Sequence, residues 1–223
     1  MTSTSEAQLL ERAQALAGRQ LGSIAAEHGL SPPHTLRRAK GWVGQLLELA
    51  LGAEAGSRAE PDFPALGVEL KSLPIDRWGK PRESTFVTTV ELDHIIDTDW
   101  EQSRVFKKLM RVLWVPVLAE PTVTVPERVV GSPVLWSPDE EQRAGLRADW
   151  EEIAERFRRD LEGPSARVGQ WLQVRPKAAS SRVRRVVHEA DGERVVVAPR
   201  GFYLRSAFTA QLISEHLVLP QRP

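Results

Sequence analysis

The chain has 223 residues, enough to bury a sizeable core as one domain or as two closely packed lobes. Lysine plus arginine total 30 and aspartate plus glutamate total 30, so global charge gives no sign of a nucleic-acid partner and any such sign must be local. The lack of cysteine excludes disulfides and thiolate metal sites; with no leader pattern and no apolar run long enough to span a bilayer, the expected location is cytoplasmic.

In chain order, Ser3 and Glu6 form a capping-box pattern ahead of Leu9, Ala13 and Leu16, which predicts a helix stopped by Gly18. Residues 21–29 suggest a second short helix, and Ser31-Pro-Pro breaks the chain. Over residues 41–51, Trp42, Val43, Leu46, Leu47 and Ala50 make a broad apolar face, with Glu48 on the opposite side where spacing alone suggests ordinary solvent exposure.

Residues 61–71 read Pro-Asp-Phe-Pro-Ala-Leu-Gly-Val-Glu-Leu-Lys. Glu69 and Lys71 alternate with apolar Val68 and Leu70, so an extended strand places carboxylate and ammonium side by side on one face. Asp62 adds a second hard oxygen ligand of the kind that suits Mg2+ beside a phosphodiester, with the lysine available to orient water or offset charge at phosphorus. Taken alone, the same pattern also describes a half-buried strand with a wet polar face.

The turn residues 76–81 and the β-branched stretch 85–90 predict a hairpin that continues this sheet. A helix near residues 100–110 carries Lys107 and Lys108, and the apolar run 112–115 predicts a buried strand for which Pro116 marks an end or an edge. Ser137-Pro-Asp-Glu predicts a helix start with Ser137 as cap, followed by one core stripe of Leu146, Trp150, Ile153, Phe157 and Leu161. Its other face, with nine acids against five arginines over residues 139–162, is expected to avoid DNA. Residues 165–205 reverse that balance, with nine basic residues against three acids spread over strands near 171–174 and 194–198 and the cluster 182–185. Phosphate binding needs such a local basic surface, although a basic run is often only solvated. Ser206 is expected to cap a last helix with Phe208, Leu212 and Ile213.

Several long words resemble the MutH-type DNA mismatch-repair endonucleases, within the restriction-enzyme-like nucleases: Lys-Gly-Trp at 40–42, Leu-Leu-Glu at 46–48, residues 62–71, Arg-Val-Leu-Trp at 111–114, Gly-Ser-Pro-Val-Leu-Trp-Ser-Pro at 131–138, Arg-Pro-Lys-Ala-Ala at 175–179 and Pro-Arg-Gly-Phe-Tyr-Leu at 199–204. The resemblance covers nearly the whole chain. It implies an α/β fold of the restriction-endonuclease-like kind, a mixed sheet flanked by helices, in which two lobes, roughly residues 20–100 and 101–223, form a DNA-binding cleft.

The resemblance further implies Mg2+-dependent nicking of the unmethylated strand at hemimethylated GATC sites by a monomer activated by the mismatch-repair ATPase MutL. By the same resemblance Asp62 and Glu69 hold metal with help from Glu48, Lys71 positions or activates water, and Lys108 lies close to the chemistry. Lys40, Phe86, Arg175, Lys177 and Tyr203 match DNA-binding residues, with Arg175 and Tyr203 reading the site and its adenine methylation. Arg205 stands where the family carries a basic residue after that tyrosine, but Ser206 follows it, and residues 91–99 are acidic where a Gly-rich loop is expected. Two alternatives stay open: a restriction endonuclease cutting both strands of GATC, and a DNA-binding module without catalysis.

Overall fold

The computed structural model describes residues 5–36, 39, 41–54, 59–177, 185–188 and 194–218. Helices α1 (Glu6–Leu16), α2 (Leu21–Glu27) and α3 (Trp42–Leu51) precede strands β1 (Glu69–Ile75) and β2 (Thr85–Thr89). Helices α4 (Leu92–Ile95) and α5 (Arg104–Leu109) lead to β3 (Val112–Leu118) and β4 (Val134–Trp136), and then to the long α6 (Glu140–Arg159). Strands β5 (Leu172–Pro176), β6 (Arg185–His188), β7 (Arg194–Val197) and β8 (Arg200–Leu204) run to the last helix, α7 (Ser206–His216). The architecture is mixed α/β, built on small sheets rather than one large one. Among the described residues no helix is long and apolar enough to cross a membrane.

The chain groups into two compact units interleaved along the sequence. One comprises Met1–Glu83, Met110–Ser137 and Thr209–Pro223; the other comprises Ser84–Leu109 and Pro138–Phe208.

In the first unit the sheet order is β1-β3-β4, with β1 parallel to β3 from Glu69 opposite Val112 to Ile75 opposite Leu118. Residues 112–117 of β3 are all buried, which is why this middle strand reads as an unbroken apolar run. It passes through Pro116 rather than ending there. Pairing with β4 covers only residues 112–114, so the proline falls beyond that ladder, where its missing N–H costs no bond to β4. Leu9, Leu21, Ile24, Leu46, Leu47 and Leu51 of the three helices join Val68, Leu70, Leu113 and Val115 in one core. Helix α1 is capped by Ser5, whose Oγ accepts from Gln8 N at 3.3 Å, so the cap expected at Ser3 moves two residues on; Ser3 itself lies outside the described residues.

In the second unit β8 runs antiparallel between β2 and β5, and β6 pairs with β7. Strand β2 therefore does not continue the β1 sheet as the sequence suggests. A tight turn, closed by Asp76 N to Lys80 O and Arg82 N to Pro74 O, leaves only an isolated bridge between Ile75 and Pro81 before the chain departs. Helix α6 starts at a capping box in which Asp139 accepts from Gln142 N at 2.8 Å and Gln142 accepts from Asp139 N at 3.2 Å. Asp139 rather than Ser137 is the cap, because its carboxylate stands three residues before a side chain able to return the bond. Leu146, Trp150, Ile153 and Phe157 form the buried stripe, whereas Leu161 lies past the helix and is half-buried. Between them, buried Asp149 accepts three backbone N–H bonds at 2.7–2.8 Å from Gln170, Trp171 and Leu172, docking the start of β5 onto α6.

Candidate functional site

The first candidate centre lies at the entrance of β1. Phe63 and Val68 bridge across a short 3-10 turn, Pro64–Leu66, and Gly67 at φ 65° supplies the left-handed residue that closes it. This fold-back carries Asp62 alongside the strand, where its Oδ2 accepts from Leu70 N at 2.8 Å. Glu69 and Lys71 share one face of β1, and Lys71 Nζ lies 2.5 Å from Glu69 Oε1. Asp62 is 5% exposed and Glu69 2% exposed, and acids are almost never this buried unless paired or bonded. Two dry carboxylates with one adjoining ammonium make a focused polar centre rather than a wet strand face.

Glu48 is half-buried on α3, which packs against β1, so it is not the freely solvated residue its spacing suggests. Its Oε1 lies back over Gly44, one helical turn earlier, as side chains on a helix tend to point. Among the described residues no three carboxylates or histidines converge closely enough to hold an ion between them. Asp62 is held to the backbone next to Glu69 through Leu70 N, and Glu48 stands on the neighbouring helix without completing such a group. Lys108 on α5 is only 8% exposed while Lys107 is exposed, so the pair does not form a solvated face. Lys40 lies outside the described residues.

A second centre forms on the β2-β8-β5 sheet. Phe86 pairs with Tyr203 and Gln173 with Tyr203, while Thr89 and Arg175 both pair with Gly201. These residues, with Lys177, therefore share one face. The opposite face is core, formed by Thr85, Thr88, Leu172, Val174, Phe202 and Leu204, all buried. On the open face the Phe86 and Tyr203 rings meet edge to face at 5.3 Å between centroids. Arg175 lies over Tyr203 with Cζ 5.7 Å from the ring centre, and Lys177 Nζ lies 4.3 Å from the centre of Phe86. Lys177 Nζ also donates to Thr89 Oγ1 at 2.6 Å. Four of the five residues matched to DNA binding thus come together as an alternating row of rings and cations, and Tyr203 lies half-buried in that row rather than in the core.

Not every nearby base belongs to that row. Arg205 donates to the carbonyls of Ala166, Val168 and Gly169 at 2.9–3.2 Å, and Arg200 to that of Pro164 at 2.6 Å. Burial pushes the Arg200 guanidinium below its ordinary pKa. Both arginines tie down the loop before β5, which gives Arg205 a structural role through its bonds to the 166–169 carbonyls. Residues 182–184 of the basic cluster lie outside the described residues. In the acidic segment 91–99, Glu91 pairs with Arg104 at 2.5 Å, which neutralises part of its charge. Sequence reasoning missed Thr89, Gly201 and Asp149, since each matters through partners remote in the chain.

The chain is similar to known proteins along most of its length. The family model of the DNA mismatch repair enzyme MutH matches residues 51–149, a span holding Asp62, Glu69, Lys71, Phe86 and Lys108. The DNA mismatch repair protein MutH of Escherichia coli O6:K15:H31 is 48% identical over 215 residues, covering 96% of this chain and 94% of its own length. Its namesake from Shigella flexneri serotype 5b has the same identity and coverage. With nearly half of all positions identical along almost the full length of both partners, the chain belongs to the MutH family of DNA mismatch repair enzymes.

Proposed function

We propose that this member of the MutH family, a DNA mismatch-repair endonuclease, nicks the unmethylated strand at hemimethylated GATC sites in an Mg2+-dependent reaction, as a cytoplasmic monomer stimulated by the ATPase MutL. The observation that carries the catalytic part is the buried pair Asp62 and Glu69 with Lys71 held against Glu69. A restriction-endonuclease-like fold belongs to the same proposal and rests on that strand-borne Glu-x-Lys with the preceding aspartate.

The donor set suits Mg2+, which takes one or two protein carboxylates and completes its shell with water and phosphate oxygens. Asp62 and Glu69 would hold it, with Glu48 assisting from α3. Such an ion supplies Lewis-acid polarisation of the phosphate and acidifies bound water. Asp62 keeps its orientation through the Leu70 N–H bond, so the carboxylate is preorganised before substrate arrives. Lys71 presents an ammonium where charge develops on the phosphoryl oxygens and can orient the attacking water. Hydrolysis joins that water oxygen to phosphorus, breaks one bridging P–O bond and returns a proton to the departing oxygen. By the family resemblance Lys108, nearly buried on α5, would also serve the reaction.

Arg175 presents the planar fork that bonds guanine O6 and N7 bidentately, which supports a role in reading GATC. Tyr203 beside it suits sensing of adenine N6, the atom that methylation alters and that faces the major groove. Supercoiled plasmid bearing one hemimethylated GATC tests the reading, with strand-specific end-labelling. Open circles cut in the unmethylated strand are expected before any linear product, and concerted linearisation would favour the double-strand restriction reading.

A further inference from the structure

At the centre of the ring-and-cation face stands a residue with no side chain. Gly201 lies between Thr89 on β2 and Arg175 on β5. Its backbone is not in the left-handed region, so the need for glycine is one of space. A Cβ built there would lie 2.8 Å from Cε2 and 3.3 Å from Cδ2 of Phe86, and 3.2 Å from the Thr88 carbonyl oxygen. The first distance is too short for carbon atoms. The Thr88 backbone oxygen, also within close range, leaves the Cβ little room to yield, so the flexible ring must move.

The ring has neighbours that the movement would disturb. Tyr203 meets it edge to face at 5.3 Å, and the Lys177 ammonium lies 4.3 Å from its centre. Lys177 is in turn held by Thr89, whose place on this face depends on an irregularity in β2. Phe86 pairs with Tyr203 and Thr88 with the very next β8 residue, Phe202, so Val87 is one residue too many on its strand. In a regular strand Phe86 and Thr89, three apart, would point to opposite faces. The bulge turns both outward, so that Thr89 Oγ1 meets Lys177 Nζ at 2.6 Å.

We propose that Gly201 and Thr89 are positioning residues for site recognition: the missing Cβ of Gly201 seats the Phe86 ring, and Thr89, carried to the same face by the Val87 bulge, holds Lys177 against that ring. Their joint effect is to fix the spacing of Lys177, Phe86, Tyr203 and Arg175. Base edges in a groove are discriminated only when donors and rings sit at set heights, so a ring displaced by a methyl group should weaken recognition rather than abolish folding. The inference rests on the proposed role of this face in reading GATC.

A double-mutant cycle over Gly201→Ala and Phe86→Leu tests it with two readouts: the ratio of duplex affinities for GATC and a one-base variant at fixed salt, and the thermal midpoint. Gly201→Ala should lower the affinity ratio about tenfold, acting through KM more than kcat in nicking. In the Phe86→Leu background the same change should alter the ratio less than twofold and cost less in midpoint, because the smaller side chain no longer meets the Cβ. Additive effects in both readouts, or a wild-type ratio in Gly201→Ala, would overturn the seat. If Gly201→Ala fails to fold, the double variant should still fold, and its failure also overturns the idea. Thr89→Val, which keeps the shape and removes the acceptor, should lower the ratio about threefold; an unchanged ratio removes Thr89 from the proposal. Should the unaltered protein show no preference for GATC, the proposed function fails, while the midpoint cycle still decides whether Gly201 seats Phe86.

Discussion

The two centres are built in opposite ways. At β1, the three charged groups come from ten consecutive residues, are almost dry, and are held by bonds within that segment, Asp62 to Leu70 N and Lys71 to Glu69. On the β2-β8-β5 sheet, Phe86, Arg175, Lys177 and Tyr203 come from three strands spread over more than half the chain, and their cations are exposed and laid on rings. Charges in a dry site are poised to act on a developing charge, where field strength matters. Exposed, ring-backed cations are suited to meeting a partner whose phosphates and base edges must first be found. On the proposed function, a single chain thus separates chemistry from recognition by burial.

The contrast can be broken first at the dry centre. Asp62→Ala should reduce nicking by at least about 100-fold and raise the Mg2+ concentration needed for half-maximal rate, while duplex affinity in the absence of metal stays near wild type. A variant that cuts normally would remove Asp62 from the centre. Next, Arg175→Ala should cost about 1–3 kcal/mol of discrimination at a single base position, measured as the ratio of affinities for GATC and altered duplexes. Uniform weakening on all sequences would make Arg175 a phosphate contact instead. Lys177→Ala should weaken binding on all sequences, with the slope of log affinity against log salt falling by about 1, in addition to the loss of discrimination expected of Thr89→Val.

A smaller effect sharpens the boundary of the second centre. Arg205→Ala should lower the midpoint through loss of its bonds to the 166–169 carbonyls, about 1 kcal/mol, and leave the salt slope unchanged. A fall in slope would return Arg205 to the DNA surface. The smallest concerns Glu6 and Arg111, bonded through Arg111 Nε to Glu6 Oε1 at 2.8 Å. That hydrogen bond holds the Glu6 carboxyl below its usual pKa, so its contribution to stability is present above the unfolded pKa and is lost as pH falls through the folded one. Glu6→Gln should therefore lower the midpoint slightly at neutral pH and converge with wild type under acid conditions. Both groups are about one third exposed, so solvent screens the pair and the effect should be small and weaken with salt.

What the sequence discloses follows the same division. Glu69 and Lys71 alternate with apolar residues, so their shared face is readable from period alone, and the α6 stripe is readable at helical spacing. Asp62 is legible because its turn is local and glycine marks the turn's end. Strand β2 misleads, since a turn and a β-branched run suggest a hairpin with β1 while its true partner, β8, lies more than 100 residues away and only burial of its core face chooses it. Capping shows a milder form of the same limit: Ser5 and Asp139 rather than Ser3 and Ser137 close the helices, because several candidate oxygens crowd each start and geometry selects among them. Gly201 carries no local signal at all, for its meaning lies in the ring of Phe86.

Lys71 is the group on which the proposed chemistry depends most. Lys71→Ala should be assayed for single-strand nicking of hemimethylated plasmid in saturating Mg2+, with duplex affinity measured on the same preparation. The transition-state role predicts a rate at least about 100-fold below wild type at an affinity within about twofold of it, because the ammonium acts on charge that develops during the reaction. Nicking near the wild-type rate would contradict the assigned chemistry, and a rate loss matched by an equal loss of affinity would reduce Lys71 to a binding residue.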